Sequence, residues 1–332
     1  MLAGVPTVAL AHAPTPMVRP ARLAEALDLD LWVKRDDMTG GAEGGNKIRK
    51  LELLLADAAR HGAAVVITCG GLQSNHARAT AICAASLGLS AVLYLRTPHL
   101  DEPLPLEGNV LLDRLAGAEV RLITPEQYKD RDRIMAEAAA ELAAAGRRAY
   151  VIPEGGSNGR GALGYVTAMA EVRADLDRGV AGGAPFDLVV HACGSGGTAA
   201  GVALGAAAYG VAREVRPMAV CDDTPTFEAR IAGIVAEARA LVPALPEPAR
   251  VVVDDRAKGP AYAVSTPEQR RLMARVARES GLVLDPVYTG KAFLGLARMA
   301  EAGEIGRARV LFLHTGGLPG LLAQGITFAG DL

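Results

Sequence analysis

The chain predicts an α/β protein: two open twisted sheets of parallel type, wrapped by helices, with a cleft between the two units. Two observations carry this. Short β-branched or apolar runs alternate with alanine- and leucine-rich stretches of helical period along the 332 residues, the pattern of parallel strands joined through helices. Glycine clusters follow several of these runs, as at Gly70-Gly71, Gly194 to Gly197 and Gly316-Gly317. They open the carboxyl ends of strands, where such sheets bind their ligands. The length leaves room for about two domains, and an apolar share of 50% is ample for their cores.

Taken in order, strands are expected at 31–34, 65–69, 91–96, 119–123, 149–152, 188–193, 216–221, 282–284 and 310–314. Between them, residues 46–61 carry apolar side chains at 48, 51, 54, 55 and 58 and stop at Gly62, a helix signature with a glycine end. Ser74 and Asn75 precede a helix over 77–87 that Gly88 closes. An apolar helix over 199–209 follows the glycine loop behind strand 188–193, and another opens near Lys291. There is no internal repeat, and the only linker-like stretches are 179–185 and 241–248.

Composition excludes several classes. The net charge is −2, from 35 basic and 37 acidic residues scattered along the chain, which leaves no basic stripe for a nucleic-acid backbone. No run reaches the ~18 apolar residues of a membrane span, and residues 1–13 lack the basic region of a secretory signal. Cys69, Cys83, Cys193 and Cys221 lie far apart without CxxC spacing, so neither a metal site nor a disulfide framework is expected. A cytoplasmic protein is the expectation.

Three kinds of segment carry chemistry. In Gly44-Gly45-Asn46-Lys47-Ile48-Arg49-Lys50, one lysine stands behind a glycine turn at a helix start. A Schiff-base lysine must be presented from a fixed backbone position and partly shielded from water, because its unperturbed pKa of about 10.4 would leave it protonated. The helix dipole, with Arg49 and Lys50, is expected to lower the pKa of Lys47. The second segment, Cys193-Gly194-Ser195-Gly196-Gly197-Thr198, joins a buried strand to a helix, so its N–H groups can converge on a phosphate without any basic residue. The same residues, with Ala199, also satisfy a dinucleotide fingerprint, for which Asp222 would be the ribose acid.

The third kind is Gln73-Ser74-Asn75-His76, at another helix N-terminus, a carboxylate receptor in which Ser74 can move protons and Asn75 can donate to a phenolic oxygen. Local signals equally admit Ser74 and Asn75 as caps, and His76 and His314 as structural residues. Tyr288, behind the run 282–284, can stack on a flat ligand or pack in a core. Together these are the parts needed to hold pyridoxal phosphate and a small amino acid.

The combined pattern resembles the D-cysteine desulfhydrase and 1-aminocyclopropane-1-carboxylate deaminase family of pyridoxal-phosphate enzymes, of tryptophan-synthase-β-like fold (fold type II). The likeness runs through 33–40, 44–50, 73–76, 152–158, 193–198, 285–291 and 314–317. It implies a large cofactor-binding domain of residues 1–50 and 164–332, a small α/β domain of 51–163, an active site between them, and a homodimer. It implies Lys47 as the cofactor lysine, Asn75 beside the ring oxygen, Cys193, Gly194, Ser195, Gly196, Gly197 and Thr198 around the phosphate, and Tyr288, Thr315 and Gly316 at the ring. Lys47, Ser74 and Tyr288 are the expected catalytic residues. Gln73, Ser74, Asn75, His76, Tyr262 and Thr289 are expected around the substrate.

The deaminase branch is expected to carry Glu directly after the tyrosine and Leu after the histidine, where this chain has Thr289 and Thr315. A hydroxyl makes a weaker electron sink than a carboxylate at the ring nitrogen, which β-elimination of a good leaving group tolerates. Ala261 and Ala263 flank Tyr262 where glycines are expected, and Ala42-Glu43 and Ala199 also depart from the pattern. The expected activity is β-elimination, converting D-cysteine to pyruvate, ammonia and hydrogen sulfide. L-cysteate sulfo-lyase and cyclopropane deaminase are alternatives within the family. A nicotinamide-dependent oxidoreductase and a non-catalytic amino-acid-binding protein are the rivals outside it.

Overall fold

A computed structural model describes residues 1–332. Its strands are β1 (Met17–Val18), β2 (Asp30–Lys34), β3 (Val65–Gly71), β4 (Ser90–Arg96), β5 (Glu119–Ile123), β6 (Ala149–Val151), β7 (Phe186–Cys193), β8 (Ala212–Ala219), β9 (Arg250–Val251) and β10 (Arg309–Leu313). They form a six-stranded sheet ordered β1-β2-β10-β7-β8-β9 and a four-stranded sheet ordered β5-β4-β3-β6. Every pairing is parallel except the short β1–β2 edge. All four strands of the smaller sheet fall between β2 and β7 in the chain.

Period-two alternation sorts the buried side chains. Leu188, Val190, Val310 and Phe312 face one core of the larger sheet with Met273, Val276, Phe293 and Leu296 of the covering helices. Val189, Leu311 and Leu313 face the opposite core with Tyr165, Met169 and Val202. The smaller sheet repeats the arrangement, Val66, Leu93 and Leu95 on one side and Val65, Ile67 and Val92 on the other. Strands with apolar residues on both faces require a helical layer on each side.

Three helices fix the cleft: Lys47–Arg60, Gly159–Asp177 and Gly197–Tyr209. Small residues let them approach backbone to backbone. A Cβ on Gly164 would lie 2.3 Å from the carbonyl oxygen of Arg49, and one on Gly201 2.0 Å from that of Ala162. This contact brings the start of the Lys47 helix against the start of the Gly197 helix.

Some expected elements shift. Residues 282–284 are not a strand: Leu282 and Leu284 are buried while Val283 is exposed, so the alternation is real, yet the segment pairs with no neighbour. The carboxylate of Asp285 instead accepts the N–H groups of Val287, Tyr288 and Thr289 at 2.7–3.0 Å. That caps the helix Thr289–Glu301, which therefore opens two residues before Lys291. β8 begins at Ala212 rather than 216, because its charged first half lies beside the two-residue edge strand β9.

Candidate active site

A cavity of about 480 Å³ opens at the carboxyl ends of β3, β4, β7 and β10, between the two sheets. That volume suits a small organic ligand. Of the residues the sequence singles out, Lys47, Ser74, Asn75, His76, Cys193, Gly194, Ser195, Gly196, Thr198, Tyr262, Tyr288 and Thr315 line it. Gln73, Gly197, Thr289 and Gly316 do not.

Lys47 opens its helix behind a turn that Arg78 grips, donating to the carbonyls of Gly41 at 3.1 Å and Gly44 at 3.0 Å. Arg49 is buried and donates to Asp36 at 2.8 Å and Glu171 at 2.7 Å, while the Tyr165 hydroxyl donates to Asp36 at 2.7 Å. Lys50 is also buried, donating to the Gly155 carbonyl at 3.2 Å and Ser157 Oγ at 3.1 Å. Lys47 alone of the three has neither an ion pair nor a hydrogen bond, and it lines the cavity. Burial pushes its pKa down to about 8, opposed by Cys193 and Glu154 and assisted by Arg78. Of the expected causes, shielding from water does the lowering; Arg49, neutralised by two carboxylates, does not contribute.

The loop after β7 forms a cup. Gly196 adopts φ +88°, in the left-handed region that glycine tolerates, and the 13-residue helix Gly197–Tyr209 starts directly after it. Ser195 Oγ lies 2.8 Å from Ser157 Oγ, which also accepts the Gly197 N–H at 3.2 Å. Asn46 donates to Thr198 Oγ1 at 3.0 Å. A Cβ on Gly197 would lie 2.6 Å from Ser157 Oγ and 2.8 Å from Lys50 Nζ. Lys50 thus stands directly behind the cup, beside N–H groups that the sequence expects to hold a phosphate without a base. Burial, then Lys47, hold its pKa well below the usual lysine range; an anion in the cup favours its charged form. Its signal in the sequence is its spacing, three residues from Lys47 on one helix face. Ser157 gives no local signal of its own, because only the fold returns it to residue 195.

On the opposite wall, Ser74 is the N-cap of the helix Asn75–Ser86, accepting the Ala77 N–H at 3.2 Å. It caps and lines the cavity at once. Asn75 Oδ1 accepts from Asn109 at 2.9 Å, which leaves its NH₂ group as the donor it offers. Thr68 Oγ1 donates to the Ile152 carbonyl at 2.8 Å, so at 2.9 Å it accepts from His76 Nε2. That assigns the proton of His76 to Nε2 and leaves Nδ1 buried without a partner. Burial, with Lys47 and Lys50 nearby, holds His76 neutral.

The Tyr262 and Tyr288 hydroxyls are 2.7 Å apart, their rings edge to face. Burial raises both, Tyr262 to about 12 and Tyr288 well above the usual phenol range. A Cβ on Gly194 would meet the Tyr288 ring at 3.0 Å, so the cup and the tyrosine are fitted to each other.

The four residues outside the lining have other partners. Gln73 accepts the N–H of Asn109 at 2.8 Å and donates to the Glu107 carbonyl at 3.3 Å. Thr289 is buried with its hydroxyl donating to Asp285 at 2.7 Å. Gly316 packs on the backbone of Gly45, and Gly197 faces Ser157. Asn46, Arg96, Tyr128 and Glu154 line the cavity although the sequence reading assigns them no role.

Glycine-rich cup, basic residue behind it, free amine and aromatic wall fit pyridoxal phosphate. A family model described as pyridoxal-phosphate dependent enzyme matches residues 8–316. The chain belongs to this family. The enzyme is 41% identical over 321 residues to the bifunctional D-cysteine desulfhydrase/1-aminocyclopropane-1-carboxylate deaminase of Arabidopsis thaliana, covering 95% of this chain and 79% of that one. It is 38% identical over 325 residues to D-cysteine desulfhydrase of Yersinia enterocolitica, covering 97% of each. The solved structure of an ACC deaminase homologue, 36% identical, matches with a TM-score of 0.89 over 100% of this chain and 98% of that one. The expected two-sheet fold is the observed one, and the dinucleotide reading of Gly194–Ala199 is set aside by the family's cofactor.

Proposed function

We propose that this enzyme is a β-eliminating lyase of a small amino acid and that D-cysteine is its substrate, giving pyruvate, ammonia and hydrogen sulfide. The observation that carries the reading is the unpaired Lys47 amine, facing a cavity beside a glycine cup backed by Lys50. Both relatives reported above bear the desulfhydrase name, one of them jointly with the deaminase name. The choice of D-cysteine over a cyclopropane is supported by Thr315, which brings a hydroxyl to the lining, and by Thr289, neither of them a carboxylate. The two acids on the lining, Glu154 and Asp222, are each paired with arginine, at 3.3 Å and 2.7 Å.

Bound pyridoxal phosphate supplies an electron sink for the pair left on Cα when its proton is removed. The chain supplies the rest. Lys47 would hold the cofactor, and its amine, when free, is the base placed to take the α-proton. Its lowered pKa lets it act near neutrality. The N-terminus of the helix Asn75–Ser86, with the Ser74 hydroxyl and the backbone N–H of His76, would receive the substrate carboxylate, and Asn75 would donate to the ring oxygen. Tyr288 would hold the ring, and its hydrogen bond to Tyr262 orients both hydroxyls in the cavity wall. Holding substrate and base together lowers the barrier by up to roughly 7–11 kcal/mol.

We further read residues 51–163 as the small domain and the rest as the large one, supported by the strands of the smaller sheet all lying within 65–151. A homodimer is supported by the exposed apolar side chains Leu106, Leu115 and Ile326. A reducing, cytoplasmic setting is supported by four free cysteines. No helix is long and apolar enough to cross a membrane.

The test feeds the purified enzyme D-cysteine, L-cysteine, L-cysteate and 1-aminocyclopropane-1-carboxylate in parallel, assaying sulfide, sulfite and 2-oxobutyrate. Sulfide from D-cysteine supports the proposal. Release of 2-oxobutyrate or sulfite alone refutes the substrate while leaving the cofactor.

A further inference from the structure

One buried amide behind the cavity wall is bonded toward both Asn75 and the turn that presents Lys47. Asn109 lies in the helix Gly108–Leu115, fully buried and outside the cavity lining. Arg78 Nε donates to its Oδ1 at 3.2 Å. Its Nδ2 donates to the Gln73 carbonyl at 3.0 Å and to Asn75 Oδ1 at 2.9 Å, and its backbone N–H donates to Gln73 Oε1 at 2.8 Å.

These partners fix which way each amide faces. An arginine N–H can only donate, so the atom facing Arg78 is the oxygen; a peptide carbonyl can only accept, so the atom facing Gln73 is the nitrogen. The Asn109 amide therefore has a single orientation. Its NH₂ group then requires the oxygen of Asn75, and the Asn75 NH₂, which has no acceptor within the protein, is left to the cavity. The helix Leu318–Leu322 shields the pair from water: a Cβ on buried Gly320 would lie 3.5 Å from Asn109 Nδ2 and 3.7 Å from Asn75 Oδ1. At the other end, Arg78 is buried without a salt bridge, and its remaining bonds go to the Gly41 and Gly44 carbonyls in the turn before Lys47. A line of donors thus runs from a buried guanidinium through two amides to the cavity, each bond polarising the next.

We propose that Asn109 is a positioning residue of the cofactor site, holding the Asn75 amide with its NH₂ group toward the cavity and tying it to the turn that presents Lys47. The assignment rests on the pyridoxal-phosphate reading of the cavity and extends it to a residue outside the lining. The aldehyde and the ring oxygen of pyridoxal phosphate sit on neighbouring ring atoms, so the amine and the amide donor that receive them must keep one spacing. Asn109 links the two. The charge of Arg78, relayed through both amides, strengthens the donor offered to an ionised ring oxygen without placing a further cation in the cavity.

The experiment loads wild type and variants with pyridoxal phosphate and compares, at one pH, the absorption bands of the bound cofactor with its ring oxygen ionised and protonated. Asn109→Asp is nearly isosteric and keeps the bond from Arg78, but it offers Asn75 an acceptor in place of a donor, so the Asn75 amide turns its oxygen to the cavity. The ratio of ionised to protonated forms is expected to fall about ten- to hundredfold, the range for a hydrogen bond to a charged group. In an Asn75→Ala background the same substitution should leave the ratio unchanged, because the effect passes through Asn75. Asn109→Ala, which frees the Asn75 amide to turn either way, should give a smaller fall and carries the test if Asn109→Asp does not fold. An unchanged ratio in the folded, loaded variants, or a fall that persists without Asn75, overturns the assignment of Asn109 alone. A wild-type protein that takes up no pyridoxal phosphate overturns it together with the function it rests on.

Discussion

The lowered pKa of Lys47 makes a quantitative prediction for cofactor capture. The perturbation is pH, applied to the apoenzyme as pyridoxal phosphate is added. A pKa of about 8 in place of 10.5 leaves about one amine in eleven unprotonated at pH 7, against about one in 3,000 for a solvated lysine. Burial thus enriches the reactive form roughly 300-fold. The assay follows the rise of the cofactor band after mixing; N-α-acetyl-lysine is measured in parallel and its rate divided by its own unprotonated fraction, so that only titration of the cofactor itself is divided out. The corrected rate is expected to climb about tenfold per pH unit below 8 and then to level off. A rate that keeps climbing to pH 10 means the amine is solvated, and the reasoning from burial fails.

Three further outcomes follow from the same geometry. Gly197→Ala drives a Cβ to 2.6 Å from Ser157 Oγ; it should cost about 1–3 kcal/mol of stability and weaken cofactor binding, seen by thermal melting and equilibrium dialysis. Tyr288→Phe leaves the Tyr262 hydroxyl without its 2.7 Å partner; sulfide release should fall about 10²-fold while the cofactor band persists. Asp36→Asn breaks the buried pair with Arg49 and should cost about 3–5 kcal/mol in chemical denaturation. Burial alone would raise the Asp36 carboxyl, but Arg49, Tyr165 and Thr15 hold it below its usual value. Its contribution is therefore complete above pH ~4 and disappears as pH falls below that, so the wild type and the variant should converge in acid.

Much of the fold was legible because each strand core alternates at period two and each helix carries its own stop, as Gly62 and Gly88 do. The run 282–284 misled because three alternating residues satisfy a strand pattern without any sheet edge to join, and the deciding contact is the cap made by Asp285. β1 and β9 are two residues each, too short to carry a period. In the site, the glycine cup, Lys47 and Tyr288 could be read as local motifs. Lys50 was present in the same motif but its role was not, because its contact with Gly197 depends on two helices meeting at Gly164 and Gly201. Thr289 shows the reverse case: its position beside Tyr288 suggested the substrate, whereas its hydroxyl turns back to Asp285. Arg96 ends β4, while Tyr128 follows β5 and Glu154 follows β6, and no sequence spacing links them.

The central claim is that one amine, that of Lys47, carries the cofactor. Hydride reduction of the holoenzyme followed by peptide mass spectrometry tests it most directly. The account predicts a single pyridoxyl modification on the peptide containing Lys47. A modification on Lys50 or Lys291, or on no lysine at all, would contradict it.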